Sequence, residues 1–130
     1  MPNPSWPTDN PLQCPLVQAI AIIGGKWKPI ILHLLSSRTH RFGEIKKNIA
    51  PISQKVLTQQ LRELELDGLV QRQVHAEIPP HVDYSLTPQG QALRPIMDAL
   101  YAWGTQHNTN LSVSATGVIT TPNSNKTTDL

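Results

Sequence analysis

One segment in the middle of the chain carries apolar and polar positions at helical spacing. Leu57, Leu61 and Leu64 recur at intervals of four and three residues, which predicts a helix with one apolar face. Ser53 suits the N-cap, where its hydroxyl can accept a hydrogen bond from a free amide of the first turn. Gly68 suits the end of the helix, because glycine adopts the left-handed C-terminal conformation at little cost.

The opposite side of this helix carries amide, hydroxyl and basic side chains. The residues are Lys55, Thr58, Gln59 and Arg62, with Ser53 and Gln54 at the helix start. Arginine and lysine donate to guanine, glutamine pairs with adenine, and the threonine methyl can contact the thymine methyl. The pattern therefore predicts a recognition helix for the major groove of DNA; the alternative is an ordinary solvent-exposed helix face.

A shorter amphipathic segment precedes this helix. Phe42, Ile45 and Ile49 are spaced for one apolar helical face, and Lys46 and Lys47 lie off that face. The proline that follows the segment disfavours helical conformation at the residue before it, so the segment ends in a turn. Two helices joined by a short turn form a helix-turn-helix, in which the two lysines would lie near DNA phosphates.

Two segments of strand-type composition follow the longer helix. Residues 69–74 are rich in strand formers, and residues 82–86 alternate between apolar and polar side chains. The loop from His75 to His81 contains two prolines, which cannot extend a paired strand. The pattern predicts a two-stranded hairpin, the wing. Arg72 is a candidate contact to phosphate or the minor groove, and so are the two histidines, although a solvated turn fits the histidines better.

Two apolar segments precede the helix-turn-helix. Residues 16–23 are almost entirely apolar, which predicts a helix covered on most sides by its own core, with a partner subunit as a further cover. Residues 27–35 predict a second helix, with Pro29 in its first turn. The predicted core stripe of this helix consists of Trp27, Ile30, Ile31, Leu34 and Leu35.

A further helix is predicted after the wing. Thr87 can cap it, and Pro88 suits its first position. Pro95 predicts a kink or a break. The apolar stripe is wide and consists of Leu93, Ile96, Met97, Leu100, Tyr101 and Trp103. Such a width favours a dimer interface, and packing within one core is the alternative.

Cys14 is the one residue with potential for covalent chemistry. It directly precedes Pro15, a favoured first helical residue, so it falls near an N-cap. A helix N-terminus stabilises an anion such as a thiolate, which would make this cysteine reactive. The alternative is an inert, partly buried thiol that packs as a small apolar side chain.

Composition limits the remaining possibilities. The chain has 130 residues, enough for one domain with a modest core, and a net charge of +2. It lacks a phosphate-binding glycine loop, a nucleophile elbow and a zinc-protease motif, and its five histidines are scattered. We therefore expect neither an enzyme nor a bound metal or cofactor. The single cysteine and the absence of a long apolar run or signal peptide predict a cytoplasmic protein without a membrane partner.

The ends of the chain differ from its middle. Residues 1–12 are proline-rich and predict a flexible arm, and residues 108–130 are rich in serine, threonine and asparagine and predict a disordered tail. The folded domain would span residues 13–107. Its predicted fold class is α+β, mainly α: a winged helix-turn-helix domain with a two-stranded wing and terminal dimerisation helices.

The order of the motifs resembles the HxlR-type branch of winged-helix bacterial transcriptional regulators, which are relatives of the MarR group. The matching motifs are Cys14-Pro15, Gly24-Gly25-Lys26-Trp27-Lys28, Arg41-Phe42-Gly43-Glu44-Ile45, Ile52-Ser53-Gln54-Lys55-Val56-Leu57-Thr58-Gln59-Gln60-Leu61-Arg62-Glu63-Leu64, Asp67-Gly68-Leu69-Val70 and Tyr84-Ser85-Leu86-Thr87-Pro88-Gln89-Gly90. The match runs from about Cys14 to His107.

This resemblance implies a homodimer that binds double-stranded operator DNA, with helices from both ends of the domain at the dimer contact. It also implies that a small oxidant or electrophile is a possible effector, because some regulators of this branch sense such compounds through a cysteine at the position of Cys14. A function of a different class is also open: a winged-helix protein-interaction module that does not bind DNA. Salt dependence separates the two, because DNA binding weakens steeply as salt rises.

Overall fold

The computed structural model describes residues 10–107 and two short strands, Ser112–Val113 and Ile119–Thr120, which pair antiparallel. The chain divides into two compact units, Met1–Ala92 and Leu93–Leu130. Most of the predicted N-terminal arm and most of the predicted tail lie outside the described residues. The domain boundaries at residues 12 and 107 therefore remain predictions.

The first unit combines helices with one small sheet. A 3-10 turn at Pro11–Gln13 comes first. The helices are α1 (Pro15–Ile23), α2 (Lys28–Leu35), α3 (Phe42–Asn48), α4 (Gln54–Leu66) and α5 (Pro88–Ala92). The strands are β1 (His40–Arg41), β2 (Val70–His75) and β3 (His81–Leu86). This order confirms the predicted α+β, mainly helical architecture.

The sheet has one strand that the sequence analysis missed. Its order is β1-β3-β2, and both pairings are antiparallel. The hairpin of β2 and β3 runs in register from Val70 opposite Leu86 to His75 opposite His81. In β1, His40 pairs with Tyr84. Two residues are too few to show a strand periodicity, so only the distant pairing partner defines β1.

The histidines at the end of the hairpin differ from the prediction. The sequence favours a solvated turn for them, but His75 and His81 are the last residue pair of the two strands. Their side chains are only 28% and 16% exposed. The prolines at positions 79 and 80 confine the turn to the residues between the histidines, so the strands extend one residue further than predicted at each side.

The core of the first unit is formed by α2, α3, α4 and the sheet. Its fully buried large side chains are Ile31, Leu32, Leu35, Ile45, Leu57, Leu61, Leu64 and Val70. The predicted stripe of α2 was partly wrong, because Ile30 is 44% exposed whereas Leu32, which was not in the stripe, is 1% exposed. Nearly every position of this helix is apolar, so periodicity alone could not show which side packs inward.

Helix α1 contradicts the expected burial by its own core. None of its residues is buried, and Leu16, Val17, Ile20 and Ile22 are 38–55% exposed. Gly24 ends the helix. A helix that is apolar on all sides has no amphipathic direction, so its composition could not show what covers it. Among the described helices, none is long and apolar enough by itself to cross a membrane; α1 and α2 reach such a length and composition only together, across a bend of 77°.

The helix predicted after the wing is broken in two. The Thr87 hydroxyl caps α5 by accepting from the Gly90 amide at 3.1 Å, as predicted. The helical path is interrupted at Leu93, and α6 (Arg94–His107) begins one residue before Pro95, so the expected break is confirmed. In the second unit, α6 exposes an apolar surface made of Ile96, Leu100, Tyr101 and Trp103, each 53–73% exposed.

Candidate nucleic-acid interface

The orientation of α4 follows from its buried face. Leu57, Leu61 and Leu64 are at most 1% exposed. The Ser53 hydroxyl accepts from the Val56 amide at 3.1 Å and caps the helix, and Gly68 has the positive φ of +79° that ends it. The predicted start, stop and apolar face are all confirmed. Because the leucines point into the core, the opposite face of α4 must point outward.

The outward face gathers most of the predicted base-contacting side chains. Gln54, Lys55, Thr58, Gln59 and Arg62 are all exposed and line one open depression on the surface. They offer amide, hydroxyl and cationic donors along about two and a half helical turns, which is the chemical inventory suited to base edges. Ser53 is also exposed at the start of this face, although its oxygen serves as the helix cap.

One contact of this face was not predicted. The Gln59 Nε2 atom donates to Glu63 Oε2 at 3.0 Å, and Lys28 of α2 forms an ion pair with the other oxygen of the same carboxylate. The bond from Lys28 and then that from Gln59 hold the pKa of the Glu63 carboxyl below its usual value of 4.5. The Gln59 side chain is therefore held in place before any ligand arrives.

The predicted phosphate contacts lie on α3. Lys46 and Lys47 occupy its last turn; Lys47 is exposed and Lys46 is half-buried. Within residues 10–107, no carboxylate lies within ion-pair distance of these two lysines, of Lys55 or of Arg62. These four cations are thus available to neutralise an anionic partner.

Arg72 is placed differently from the other predicted contacts. It lies in β2, outside the depression on α4, and its Nε atom is 3.7 Å from Glu65 Oε1. Both side chains are more than 40% exposed, so this ion pair is weak and solvent-screened. The structure therefore places Arg72 on the wing hairpin, apart from the predicted site residues of α4.

Cys14 is where the sequence placed it. It is the N-cap of α1, and its side chain makes no capping hydrogen bond. The thiol is free, but the residue is only 6% exposed. This burial favours the packing role over direct access by a solute, because an oxidant must reach the sulfur to react with it.

A helix-turn-helix with an outward polar second helix, followed by a two-stranded wing that also pairs with the short strand β1, defines a winged helix-turn-helix regulator. The chain belongs to the HxlR-like helix-turn-helix family, which it matches over residues 22–112. It is 43% identical over 102 residues to an uncharacterized HTH-type transcriptional regulator of Methanothermobacter thermautotrophicus, covering 78% of each chain.

Solved structures give the same assignment. The redox regulator HypR in its oxidized form is 42% identical, with a TM-score of 0.68, and the match covers 73% of this chain and 98% of HypR. The reduced form of the transcriptional regulator YodB from Bacillus subtilis is 39% identical, with a TM-score of 0.67 and coverage of 74% and 95%. The protein is a transcriptional regulator of the helix-turn-helix type, a class whose members are generally not enzymes.

Proposed function

We propose that this regulator binds operator DNA in a sequence-specific manner as a homodimer, with α4 in the major groove. The observation that carries the proposal is the division of α4 into a fully buried leucine face and an exposed polar face. The packing of the leucines fixes the helix rigidly, and a rigid helix can place side chains against base edges. This role places the protein in the cytoplasm, where the DNA lies.

The predicted site residues divide into two groups by chemistry. Gln54, Lys55, Thr58, Gln59 and Arg62 contact base edges, with Ser53 at the helix start. Lys46 and Lys47, from the preceding helix, and Arg72, from the wing, contact phosphates and set the orientation without specifying sequence. Lys46, Lys47, Lys55 and Arg62, which form no ion pair among residues 10–107, supply most of the electrostatic attraction.

The dimer follows from two separate apolar surfaces. Helix α1 exposes Leu16, Val17 and Ile20 in the first unit, and α6 exposes Ile96, Leu100 and Trp103, spaced i, i+4 and i+7, in the second. Each surface is a contiguous apolar face of a kind that monomeric proteins seldom leave in water. A second copy of the chain would cover them, and a two-fold dimer requires an inverted-repeat operator with half-sites about one or two helical turns apart.

The experiment is capture of genomic DNA fragments by the purified chain, followed by titration of the recovered site by fluorescence anisotropy at several salt concentrations. We expect an inverted repeat, and an affinity that falls linearly with salt on logarithmic axes because counterions are released. No DNA affinity at low salt would instead support a protein-interaction module that uses the same face of α4.

We also propose that oxidants or electrophiles regulate the protein through Cys14. The support is the likeness to the redox regulator HypR and the place of Cys14 at the start of α1, whose apolar face would lie at the dimer contact. Because the residue is 6% exposed, the turn before α1 must open before the sulfur reacts. A change at the sulfur would then shift α1 and alter the spacing of the two recognition helices.

The products are limited because the chain has one cysteine. Peroxide would convert the thiolate to a sulfenic acid, whereas diamide would form a mixed disulfide with an added thiol or a bridge to a second chain. The test measures operator affinity of the wild type and of Cys14→Ser after treatment with peroxide, diamide or a quinone. We expect a change only in the wild type. An equal response of both proteins to all three reagents would make Cys14 a structural residue.

A further inference from the structure

We infer that the end of the wing hairpin is a binding site for a divalent transition-metal ion, with Zn²⁺ the best fit, held by His75, His81 and Asp83. The two histidines face each other across the last residue pair of β2 and β3. Asp83 lies two residues after His81 and therefore projects from the same face of the sheet. Each side chain offers one potential ligand atom, and these three atoms all lie within 4.8 Å of one another.

The distances between the potential ligand atoms suit a metal. The Nε2 atom of His75 is 2.9 Å from Asp83 Oδ2, and Nε2 of His81 is 3.6 Å from Asp83 Oδ1. Tetrahedral zinc, with bonds of about 2.0–2.1 Å, separates its ligand atoms by roughly 3.3 Å. The observed separations lie on either side of that value but run to different oxygens of Asp83. With one ligand atom from each residue, the three atoms lie within 4.8 Å of one another, so side-chain rotations that bring both nitrogens to one oxygen would close the site around an ion.

A second observation also calls for a ligand. The Nε2 atom of His75 is buried and has no hydrogen-bond partner among the described residues. Although Asp83 Oδ2 is near it, the contact lacks the angle of a hydrogen bond. A buried polar atom without a partner destabilises the fold, and such an atom in a native structure calls for an explanation such as an ion. A metal bound at this nitrogen would satisfy it.

The surroundings of His81 resemble those of a metal-bound histidine. Its Nε2 faces Asp83, while its other ring nitrogen, Nδ1, is 3.9 Å from the carboxylate of Glu77. Metal-binding histidines usually donate their second ring N–H to a carboxylate, which orients the ring. Glu77 is 66% exposed and can move closer, so it would act as the orienting group.

The ligand chemistry selects the class of ion. Two imidazole nitrogens and one carboxylate oxygen suit zinc and its neighbours, whereas magnesium and calcium prefer oxygen ligands alone. The three side chains are 16–28% exposed, so water can complete the coordination. The sequence showed only scattered histidines, because pairing across the hairpin, and not spacing along the chain, brings them together.

The test is calorimetric titration of the tag-free, chelator-treated full chain with ZnCl₂ in the absence of DNA, so that it stands apart from the proposed DNA binding. We expect one Zn²⁺ per chain. His81→Ala and Asp83→Asn should each weaken binding at least tenfold. The matched controls are His33→Ala, which removes an exposed histidine from α2, and Cys14→Ser, which removes the thiol; both should bind as the wild type does.

NMR of the wild type gives a second test, which does not depend on the correct folding of any variant. We expect the ring ¹⁵N signals of His75 and His81 to shift on addition of Zn²⁺ while that of His33 stays unchanged. The inference is overturned if the wild type does not bind Zn²⁺, if both site variants retain its affinity, or if the histidine signals of the hairpin do not respond.

Discussion

Helices α1 and α4 lie in the same compact unit but differ in what covers their apolar side chains. In α4 the leucines are fully buried and the other face is polar and exposed. In α1 almost every side chain is apolar and none is buried. Helix α4 has its apolar partners within the chain, whereas α1 leaves apolar surface in water. A partner that covers this surface of α1 would stabilise the complex.

The comparison shows what hydrophobic patterning can and cannot establish. An amphipathic pattern such as that of α4 indicates the direction of the core, because the polar side must face water. An all-apolar pattern such as that of α1 indicates only that something covers the helix. Whether the cover is the same chain or a second copy depends on tertiary structure. The buried leucine face of α4 is an internal apolar face, and the exposed apolar side of α1 is an external one. Substitutions on the two faces should therefore have different effects.

The largest expected effect concerns the internal face. Leu61 is 1% exposed, so Leu61→Ala should lower the free energy of unfolding by about 2–5 kcal/mol, through lost burial and a residual cavity. The measurement is urea denaturation. The matched control is Leu66→Ala in the same helix, where the leucine is 79% exposed and the change should stay within about 0.5 kcal/mol. Equal losses for the two variants would contradict the assigned orientation of α4.

The next effect concerns the exposed polar face of α4. Arg62→Ala should leave stability unchanged and cost about 1–3 kcal/mol in specific operator affinity if the guanidinium contacts a base through two hydrogen bonds. Gln59→Ala should act in the same direction. The charge-matched control is Arg94→Ala, which removes a cation from α6. Unchanged affinity for both Arg62→Ala and Gln59→Ala would remove the basis for a recognition helix.

A smaller effect is expected for the external face. Ile20 is 55% exposed in α1, so nearly half of its side chain is already covered in the monomer. Ile20→Ala removes three carbons worth about 0.8 kcal/mol each when fully buried, so it should weaken the contact by ~1.3 kcal/mol per subunit. Because a two-fold dimer carries the change twice, the dissociation constant should rise by roughly two orders of magnitude. Sedimentation equilibrium over a range of concentrations measures this. Gln18→Ala, a polar change in the same helix, serves as the control. If the wild type is a monomer at micromolar concentration, or if Ile20→Ala destabilises the monomer as Leu61→Ala does, α1 has no role at a dimer contact.

Local features were predictable from the sequence. The cap at Ser53, the stop at Gly68 and the leucine face of α4 follow from residue type and spacing within a single helix, and the structure confirms all three. The break before Pro95 also follows from local chemistry, because proline removes a helical hydrogen bond. The same local pattern brought together the exposed side chains of α4 that form the candidate site.

Features that depend on distant partners were not predictable. Strand β1 exists only because it pairs with β3, which lies more than forty residues later in the chain. The contact of Lys28 with Glu63 joins two helices, and the cluster of His75, His81 and Asp83 forms across a hairpin. Periodicity describes one element at a time, so it cannot locate contacts that tertiary folding creates.

The smallest expected effect is a dependence of stability on pH. It should arise from Glu63 in α4, and α1 should contribute nothing to it. Glu63 bonds Lys28 and Gln59 and has a lowered pKa, whereas α1 has no titratable side chain. A lowered folded-state pKa stabilises the fold above about pH 4.5, and this contribution is lost as the pH falls through the folded value. Glu63→Gln should therefore lower the thermal midpoint at pH 7 slightly and leave it nearly unchanged at pH 3.

The exposure of Glu63 keeps this effect small, because solvent screens the ion pair. Glu44 should respond in the same direction, since the Arg41 amide donates to it at 2.9 Å and lowers its pKa, with Arg38 nearby. The control is Asp98→Asn, which removes an exposed carboxylate from α6 in the other unit. A difference between Glu63→Gln and the wild type that is as large at pH 3 as at pH 7 would mean that Glu63 acts by packing. The ion pair with Lys28 would then contribute nothing to holding α4 against α2.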